Sequence, residues 1–410
     1  MKKHALTAVD DALECILRGV SGGSTGIEVV AMSEASGRII ADTINAEINV
    51  PGYDNSAMDG FAVNTDFIKK PGSTLPITLP ISQVIPAGLT GAKLESDTAA
   101  RIFTGAPIPL GANAVILQED TEYDDQQVKV KQVPKAGQNI RLCGHDIKQG
   151  DVILEQGHKL LPQDIGLLAS LGLAKVKVYK PLKIAILNTG DELVAPGENL
   201  KAGQIYESNS FTLDALLKKM GMQTQKLGIV KDDLQSTQQA LLRATEDADC
   251  IMSSGGVSVG DADYIKTAVE NLGKLSLWKL AIKPGKPFSF GQVGETPFFG
   301  LPGNPVAVFV TFLMLVKPYL LKMQGAQNIH SEKYLLPAGF EVAEVGSRQE
   351  YLRVCLQGNQ QGKQELIPFL NQGSSVMTST SWADGLAIIP INTRIERGDL
   401  LEFLPYTGLL

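Results

Sequence analysis

A glycine-rich segment at residues 253–264 carries the residue types in this chain that are best suited to chemistry. It follows an apolar run that predicts a strand, and it precedes a predicted helix. Gly255 and Gly256 would let a ligand approach the backbone, while amides at a helix start attract phosphate or another oxyanion. Ser258 adds a hydroxyl donor. We interpret the segment as an anion-binding turn, with a tight turn that binds no ligand as the alternative.

Carboxylates accompany this turn. Asp261 and Asp263 lie at the predicted helix start, where they could complement the helix dipole or hold hydrated Mg²⁺ against phosphates. Asp191 and Glu192 follow another predicted strand, residues 182–187. Because ligands of open α/β sheets bind outside the carboxyl ends of strands, we expect Glu192 to share a metal or to activate water. A solvated loop acid is the alternative for Glu192.

Positive charge is concentrated at residues 279–287, which contain Lys279, Lys283 and Lys286 among prolines and apolar residues. On an extended run, Lys279 and Lys283 point to the same side. The prolines stiffen the turn and help to fix Lys286. A lysine ammonium is a compact cation that suits phosphate or another oxyanion. We expect these lysines to bind an anion, and an ordinary solvated lysine face is the alternative.

Residues 300–305 open a strongly apolar helix. Asn304 suits the N-cap and Pro305 suits the first helical position, so a rigid helix start is a sufficient explanation. Convergence argues for function, since several such turns in one α/β unit should face one cleft. Three further segments, residues 51–63, 104–109 and 139–147, look like loops and cannot be assigned to a site from their residues alone.

Composition limits the class of protein. The 410 residues are too many for one hydrophobic core and suggest about three domains. The net charge of −7 gives no overall basic field for nucleic acid or anionic lipid, so an anionic ligand must be held by local charge. Four cysteines and four histidines are dispersed without zinc or haem spacing, which fits a reducing cytoplasm.

The sequence predicts neither export nor a membrane span. Acidic residues arrive before any apolar stretch can follow Met1, so we expect no signal peptide. The longest apolar run, residues 306–316, is too short to cross a bilayer and ends at Lys317 and Pro318. We therefore expect a soluble cytoplasmic protein that binds neither membranes nor nucleic acid.

The first part of the chain predicts a helix and then a β domain. Residues 7–20 have the apolar spacing of an amphipathic helix capped by Thr7. Short β-type runs broken by proline and glycine fill residues 51–134 and predict a small inserted β domain. Within it, the runs 114–117 and 128–133 predict a hairpin around an acidic turn.

The remainder predicts two further kinds of structure. A helix is expected over residues 162–171, with proline in its first turn and Gly172 after its end. Residues 179–327 alternate strand, glycine turn and helix, which indicates an α/β unit with a buried parallel sheet. After about residue 328 the short apolar runs predict a small β barrel or sandwich.

Seven motifs taken together resemble the signature series of the molybdenum insertases, the molybdopterin molybdenumtransferase family, which includes the E domain of gephyrin and its plant counterpart. In family order over residues 50–315, they are PGYDNSAMDGFAV, TGAPIPLGANAVI, NIRLCGHDI, ILNTGDEL, SSGGVSVGDADY, KLAIKPGKP and GLPGNPVAVFVTF. The carboxy-terminal resemblance rests on Arg353 and residues 372–374. The length leaves no room for gephyrin's fused adenylyltransferase domain, so we expect the stand-alone bacterial form.

The resemblance implies a mixed α/β multidomain fold. Its parts would be an elongated N-terminal unit in two segments, an inserted β domain, a central molybdopterin-binding α/β domain with a parallel-rich sheet, and a small C-terminal β barrel. The expected bounds are 1–50 and 135–178 for the elongated unit, 51–134 for the inserted domain, 179–327 for the α/β domain and 328–410 for the barrel. An elongated homodimer is also implied, with a cleft that combines residues of both protomers.

The implied reaction inserts molybdate into adenylyl-molybdopterin and releases AMP, with Mg²⁺ held by Glu192 and Asp263. Arg353 and Ser374 would donate to molybdate. The expected catalytic residues are Glu192, Asp232, Asp263, Lys279 and Lys283. The expected substrate-binding residues are Asp59, Thr104 and Asp146 from one protomer, and Gly255, Gly256, Ser258, Lys286, Pro302, Asn304, Pro305, Arg353 and Ser374 from the α/β and barrel parts.

Two other functions stay open. One is adenylylation of molybdopterin from ATP on the same α/β domain, against which the inserted β domain and the barrel argue. The other is a gephyrin-like scaffold or binding protein, against which the retained acids and lysines argue. A molybdopterin adenylyltransferase and molybdoenzyme maturation proteins are the expected partners.

Overall fold

The computed structural model describes residues 6–23, 25–70, 74–256, 264–359 and 362–409. The chain divides into two compact units. Unit 1 comprises Met1–Asp42, Gln156–Leu161 and Lys175–Leu410, and unit 2 comprises Thr43–Glu155 and Pro162–Ala174. The α-helices of the described residues are Val9–Leu17, Thr65–Ile68, Pro162–Ser170, Asn209–Lys219, Leu234–Asp247, Tyr264–Leu272, Pro305–Thr311, Lys317–Met323, Met377–Trp382 and Tyr406–Leu409.

Unit 1 is built on a six-stranded mixed sheet, here called the central sheet. The first four strands in the spatial order are parallel to one another. Each of the last two strands is antiparallel to the strand before it. This confirms the predicted α/β unit with a parallel-rich sheet. The strands at the antiparallel edge are joined by short connections. Such connections can link antiparallel strands, whereas parallel strands need a longer crossover. The spatial order is Gln223–Val230, Lys183–Thr189, Cys250–Ser254, Thr296–Leu301, Pro287–Val293 and Gly273–Lys279.

Alternate residues of the strand Lys183–Thr189 enter different hydrophobic clusters on the two faces of the central sheet. Ile184 and Ile186 belong to one cluster, and Ala185 and Leu187 belong to the other. Burial on both faces explains why this run is apolar almost throughout. The first face is covered by helices Asn209–Lys219, Pro305–Thr311 and Lys317–Met323, and the second by Leu234–Asp247 and Tyr264–Leu272.

One continuous helical rod crosses unit 1 from Pro305 to Met323, with a π-helical segment at Phe312–Val316. The expectation that this apolar segment is too short to cross a bilayer is wrong, because the helix continues past Lys317 and Pro318. Pro318 falls at the start of the α segment that follows the π turn, where its missing amide is tolerated. The rod is long and apolar enough to cross a membrane, but 83% of it is buried inside the protein, so it is a core helix.

The C-terminal part of unit 1 is a small barrel, as predicted. Its strands follow the order Tyr334–Pro337, Leu400–Pro405, Gly385–Ile389, Gln349–Gly358 and Gln364–Pro368. A parallel bridge between Ala338 and Leu366 joins the last strand to the first and closes the ring. The short strand Ile282–Lys283 pairs in parallel with the barrel strand Gln349–Gly358. The lysine turn is therefore anchored to the barrel.

The N-terminal helix differs from its prediction. It spans Val9–Leu17, not residues 7–20, and Thr7 does not cap it. The Thr7 amide donates to the Lys279 carbonyl at 2.9 Å, and the Thr7 carbonyl accepts from Ala281 at 2.7 Å. These bonds extend the backbone of Thr7 alongside the lysine turn, which removes it from the helix. Unit 1 also contains an antiparallel pair, Ile27–Ala31 with Lys175–Tyr179, and a short parallel pair, Leu193–Val194 with Ile205–Tyr206.

Unit 2 contains a six-stranded sheet. Within it, residues 114–117 and 128–133 do not pair with each other, so the predicted hairpin is wrong. The strand Ala114–Leu117 pairs with Gly60–Val63, and the 3₁₀ turn Gln118–Asp120 then redirects the chain. The acidic turn instead joins two other strands, and Asp124 stabilises it by accepting from the Gln126 and Gln127 amides. The spatial order is Ala114–Leu117, Gly60–Val63, Ala99–Ile102, Ile77–Ile85, Gln127–Val130 and Thr121–Tyr123.

Shorter elements complete unit 2. Two antiparallel pairs lie outside the six-stranded sheet, namely Asn55–Ser56 with Ile140–Arg141 and Ile44–Asn45 with Val152–Leu154. The helix Pro162–Ser170 begins at a proline and is followed by Gly172 at a φ of 79°, which confirms the predicted helix and its glycine end.

Candidate functional site

The four parallel strands of the central sheet end side by side. Cα pairing places Val230 opposite Thr189, Ser254 opposite Asn188, and Leu301 opposite Ser254. The turns that follow these strands therefore leave the sheet along one edge, which is where ligands of open α/β sheets bind. They contain the predicted site residues Glu192, Asp232, Gly255, Gly256, Pro302 and Asn304.

Asn209, at the start of the helix Asn209–Lys219, holds two of these turns together. Its side-chain amide donates to Ser254 Oγ and to the Gly303 carbonyl, both at 2.7 Å. Ser254 Oγ in turn donates to the Pro302 carbonyl at 3.3 Å. The Gly255 amide donates to the Leu301 carbonyl at 3.1 Å, so this amide closes the turn and is not free for a ligand.

An acidic group occupies the other half of the edge. Burial, and then the negative charges of Asp191, Glu192 and Asp233, raise the pKa of Asp232. Glu192 folds back over Gly190, where an added Cβ would lie 2.6 Å from Glu192 Oε2. Mutual repulsion among these carboxylates is the electrostatic condition that a divalent cation relieves.

The predicted metal pair is only partly described. No set of three or more acidic, histidine or cysteine side chains that could hold a metal ion occurs within the described residues. Asp263, the expected partner of Glu192, lies outside those residues, as do Ser258 and Asp261. Asp191, Glu192 and Asp232 thus place carboxylates near one another at the sheet edge but do not by themselves form a metal site.

A cleft of about 350 Å³ lies where the lysine turn, the turn at residues 302–304 and a barrel loop meet. Five predicted residues line it, and so does Arg348, which no sequence motif indicated. Lys279 is exposed at the end of its strand and is not part of the cleft lining. The predicted lining residues are Lys283, Lys286, Pro302, Asn304 and Ser374.

The lysine turn is held in place from two sides. Lys283 Nζ donates to Glu350 Oε1 at 2.9 Å, on the neighbouring barrel strand. Gly285 has a φ of 115° and packs so closely that an added Cβ would lie 2.5 Å from Thr311 Cγ2. A larger residue at this position would push the turn, and Lys286 with it, away from the core helix.

Arg353 lies behind the cleft rather than in it. The side chain is 1% exposed, and burial lowers its pKa. Its guanidinium donates to Ser379 Oγ at 3.0 Å and to the Tyr351 and Gly373 carbonyls at 3.1 and 3.3 Å. The direct bond from Arg353 to an oxyanion that was expected from the sequence is not what this geometry provides. Arg353 instead fixes the loop that carries Ser374.

Ser374 and Asn304 meet at the start of the core helix. The Val306 amide donates to the Ser374 carbonyl at 3.0 Å, which docks the barrel loop onto the first helical turn. Asn304 occupies the N-cap position, and Pro305 follows in the first turn, as predicted. The side chain of Asn304 makes no capping hydrogen bond and is exposed in the cleft. It is therefore available to a ligand.

Unit 2 brings together the three segments that could not be assigned from their residues alone. The Ser56 amide donates to the Ala106 carbonyl at 3.0 Å, and the Ala57 amide donates to the Asn139 carbonyl at 2.9 Å. Asp59 and Asp146, both predicted, are exposed on two of these segments.

Thr104 fixes the orientation of Asp59 on this loop cluster. Its amide and hydroxyl donate to Asp59 Oδ1 at 2.8 and 2.9 Å. The backbone bond, and then the hydroxyl bond, lower the pKa of Asp59. An ionised carboxylate with a fixed orientation is thereby presented to solvent.

Comparison with known proteins decides the family. Residues 7–172 match a model described as the MoeA N-terminal region (domain I and II), residues 185–322 match a probable molybdopterin binding domain, and residues 336–406 match the MoeA C-terminal region (domain IV). The molybdopterin molybdenumtransferase of Haemophilus influenzae is 39% identical over 94% of this chain and 95% of that protein. The chain belongs to the molybdopterin molybdenumtransferase family.

Two further comparisons agree with this assignment. The Bacillus subtilis molybdopterin molybdenumtransferase is 32% identical over 98% of this chain and 95% of that protein. The fold is also similar to a crystal structure of the molybdopterin biosynthesis moeA protein from Pyrococcus horikoshii OT3, with a TM-score of 0.84. The two sequences are 30% identical, and the match covers 98% of this chain and 100% of that one. The acidic edge and the lysine turn lie in the part matched to the probable molybdopterin binding domain, and Arg348, Arg353 and Ser374 lie in the C-terminal region.

Proposed function

We propose that this chain is a molybdopterin molybdenumtransferase that inserts molybdate into adenylyl-molybdopterin and releases AMP. The observation that carries the proposal is the cationic cleft lined by Lys283, Lys286 and Arg348. It lies in a chain whose residues 185–322 match a probable molybdopterin binding domain. A small tetrahedral oxyanion needs local positive charge and hydrogen-bond donors, which this cleft supplies in a protein whose net charge is −7.

In this proposal the cleft binds molybdate. Lys283 and Lys286 provide compact ammonium groups, while the planar guanidinium of Arg348 can donate two parallel hydrogen bonds to one oxyanion. The Asn304 amide and the Ser374 hydroxyl are neutral donors on the same lining. Pro302 and the other lining prolines keep the wall rigid, so the donors stay in place when the anion leaves.

The acidic edge is proposed to serve the pyrophosphate of the adenylylated pterin. Glu192 and Asp232 provide carboxylate oxygens, and the repulsion that raises the pKa of Asp232 favours uptake of a cation. Mg²⁺ commonly binds through one or two carboxylates, water and substrate phosphates, which fits this donor set. When bound, Mg²⁺ would neutralise phosphate charge. The chain's own carboxylates would orient water at the phosphorus that carries the AMP group.

Release of AMP is the decisive test. Purified protein with adenylyl-molybdopterin, molybdate and Mg²⁺ should release AMP only when molybdate is present. Glu192→Ala and Asp263→Ala should lower the rate by at least about tenfold, whereas Glu246→Ala, on the exposed face of the helix Leu234–Asp247, should not. No AMP from the wild-type protein under these conditions would refute the proposal. AMP transfer from ATP to unmodified molybdopterin would instead favour an adenylyltransferase.

We also propose that the enzyme is a cytoplasmic homodimer in which the loop cluster of unit 2 contributes to the site of the other protomer. The fixed, exposed carboxylate of Asp59 supports a contact role for this cluster, and four free cysteines fit a reducing compartment.

Mixed dimers test the shared site. Co-expression of Asp59→Ala with Glu192→Ala chains should restore part of the AMP release, because one site of a mixed dimer then receives both native residues. Co-expression of Glu192→Ala with Asp232→Ala chains is the control, since each such site keeps one defect. Equal activity in the two mixtures would show that each protomer builds its own site.

A further inference from the structure

One carboxylate is hydrogen-bonded to a lysine of the cationic cleft. Glu350 Oε1 accepts from Lys283 Nζ at 2.9 Å, and backbone pairing of the two residues between adjacent strands fixes this contact. The Glu350 side chain is 22% exposed and the Lys283 side chain 46% exposed. A Cβ added to Gly346 would lie 3.2 Å from the same Glu350 oxygen. The carboxylate is thus enclosed between a barrel turn and the lysine.

This ion pair reduces the positive charge that the cleft offers to a ligand. Lys283, Lys286 and Arg348 line the cleft, but Lys283 already has a counterion. An entering dianion must share Lys283 with Glu350 and also lies near the negative charge of Glu350 itself. Both effects weaken binding of the anion. Lys286 and Arg348 form no ion pair that the structure records among the described residues.

We propose that Glu350 determines how weakly the cleft holds a doubly charged oxyanion, which keeps the bound molybdate transferable. This inference rests on the proposed function. Tight binding of the reactant does not accelerate a transfer, because only interactions that strengthen towards the transition state raise kcat. Without Glu350, two ammonium groups and a guanidinium would all bind the free oxyanion and resist its departure to the dithiolene. Glu350 is a positioning residue that acts through Lys283.

The substitution Glu350→Gln isolates the charge. Glutamine retains the shape of the side chain and an oxygen that accepts from Lys283, but it removes the negative charge. A matched control is Glu402→Gln, because Glu402 pairs with Lys333 at 2.8 Å on the same barrel and neither residue lines the cleft. Glu350→Ala removes both the charge and the acceptor, so it separates the effect of charge from that of lysine position.

The first measurement is calorimetric titration of the full-length protein with molybdate, and separately with tungstate. Glu350→Gln should lower the dissociation constant by on the order of fivefold. Glu350→Ala should lower it as well, and Glu402→Gln should leave it unchanged. At low ionic strength the difference in dissociation constant between the wild type and Glu350→Gln should increase, because salt screens the interaction of partly exposed charges. An unchanged or raised dissociation constant in a normally folded Glu350→Gln protein would overturn the inference.

Steady-state kinetics give a readout that a purely structural role would not produce. In Glu350→Gln the KM for molybdate and kcat for AMP release should both fall, because the tighter binding is lost on the way to the transition state. If the wild-type protein releases AMP and Glu350→Gln changes neither constant, the inference alone is wrong. If the wild-type protein neither binds an oxyanion nor releases AMP, the proposed function is wrong as well.

Discussion

The side-chain amide of Asn209 donates to Ser254 Oγ at 2.7 Å, which joins the first turn of a helix to the end of a parallel strand. Its second N–H donates to the Gly303 carbonyl at the same distance. Two turns that are far apart in the chain are therefore held by one amide group. Because Asn304 and Pro302 flank the bound carbonyl, the position of one cleft wall depends on a residue outside the cleft lining.

Asn209→Ala should disturb the cleft wall without removing any lining group. The change leaves the Gly303 carbonyl and Ser254 hydroxyl without their donor, which should lower the free energy of unfolding by roughly 1–3 kcal/mol. The KM for molybdate in AMP release should rise, and by more than in the control Asn271→Ala, a change on the exposed end of the helix Tyr264–Leu272. Urea unfolding and AMP release measure the two effects. Wild-type values for both would show that the amide bonds are dispensable.

Asp232→Asn should have opposite effects with and without metal. Since the pKa of Asp232 is raised in the folded state, its contribution to stability is present at low pH and is lost as pH rises through that pKa. At neutral pH without Mg²⁺, the variant should therefore have a higher Tm than the wild type. Adding Mg²⁺ should raise the Tm of the wild type more than that of the variant. The control Asp247→Asn, exposed at the end of its helix, should respond to Mg²⁺ as the wild type does.

Arg353→Met should destabilise the barrel loop more than a typical arginine substitution. The buried guanidinium donates to three oxygen atoms, and their loss should cost roughly 2–4 kcal/mol of unfolding free energy. Molybdate affinity should fall as well, because the loop that carries Ser374 loses its support. The control is Arg397→Met on the same barrel, whose side chain is 64% exposed, and it should cost less than about 1 kcal/mol. Similar losses in the two variants would contradict the role given to Arg353.

Lys317 should make stability depend on alkaline pH. Burial, and then the charge of Lys159, lower the pKa of Lys317 to about 8. Between that pH and the ordinary lysine pKa near 10.4, the unfolded chain binds more protons than the folded one, so stability rises with pH. Relative to Lys317→Met, the wild type should gain up to about 3 kcal/mol across this range. Urea unfolding of both proteins at pH 7 to 10 measures the difference, and parallel curves would exclude this effect.

Much of unit 1 could be predicted because its signals are local. Apolar runs mark Lys183–Thr189 and Cys250–Ser254 as strands, and Asn304 with Pro305 marks the start of the core helix. The helix start at Thr7 and the hairpin after Ala114–Leu117 were mispredicted because partners distant in the sequence decide them. Tertiary pairing overrides local propensity in both places.

The candidate site, like the fold, was predicted only in part. Lys283, Lys286 and Ser374 were expected from motifs, and the structure brings them to one cleft. Arg348 and Glu350 could not be selected because Glu350 lies on, and Arg348 directly before, a barrel strand whose pairing with the lysine turn is invisible in the sequence. Arg353 was selected, but only its burial distinguishes a support behind the wall from a donor in the cleft.

The π-helical segment Phe312–Val316 is the place where the core helix can lose one residue and keep its packing. A hydrogen-bonded turn of a π-helix holds one residue more than a turn of an α-helix, so deletion of one residue here restores regular hydrogen bonds and leaves the helix that follows close to its present rotation. Tyr319, whose ring centroid lies 4.9 Å from that of Phe299 and 5.4 Å from that of Phe290, would keep its place against the sheet. A deletion in the α-helical part between Pro305 and Thr311 would instead rotate everything that follows by about 100°.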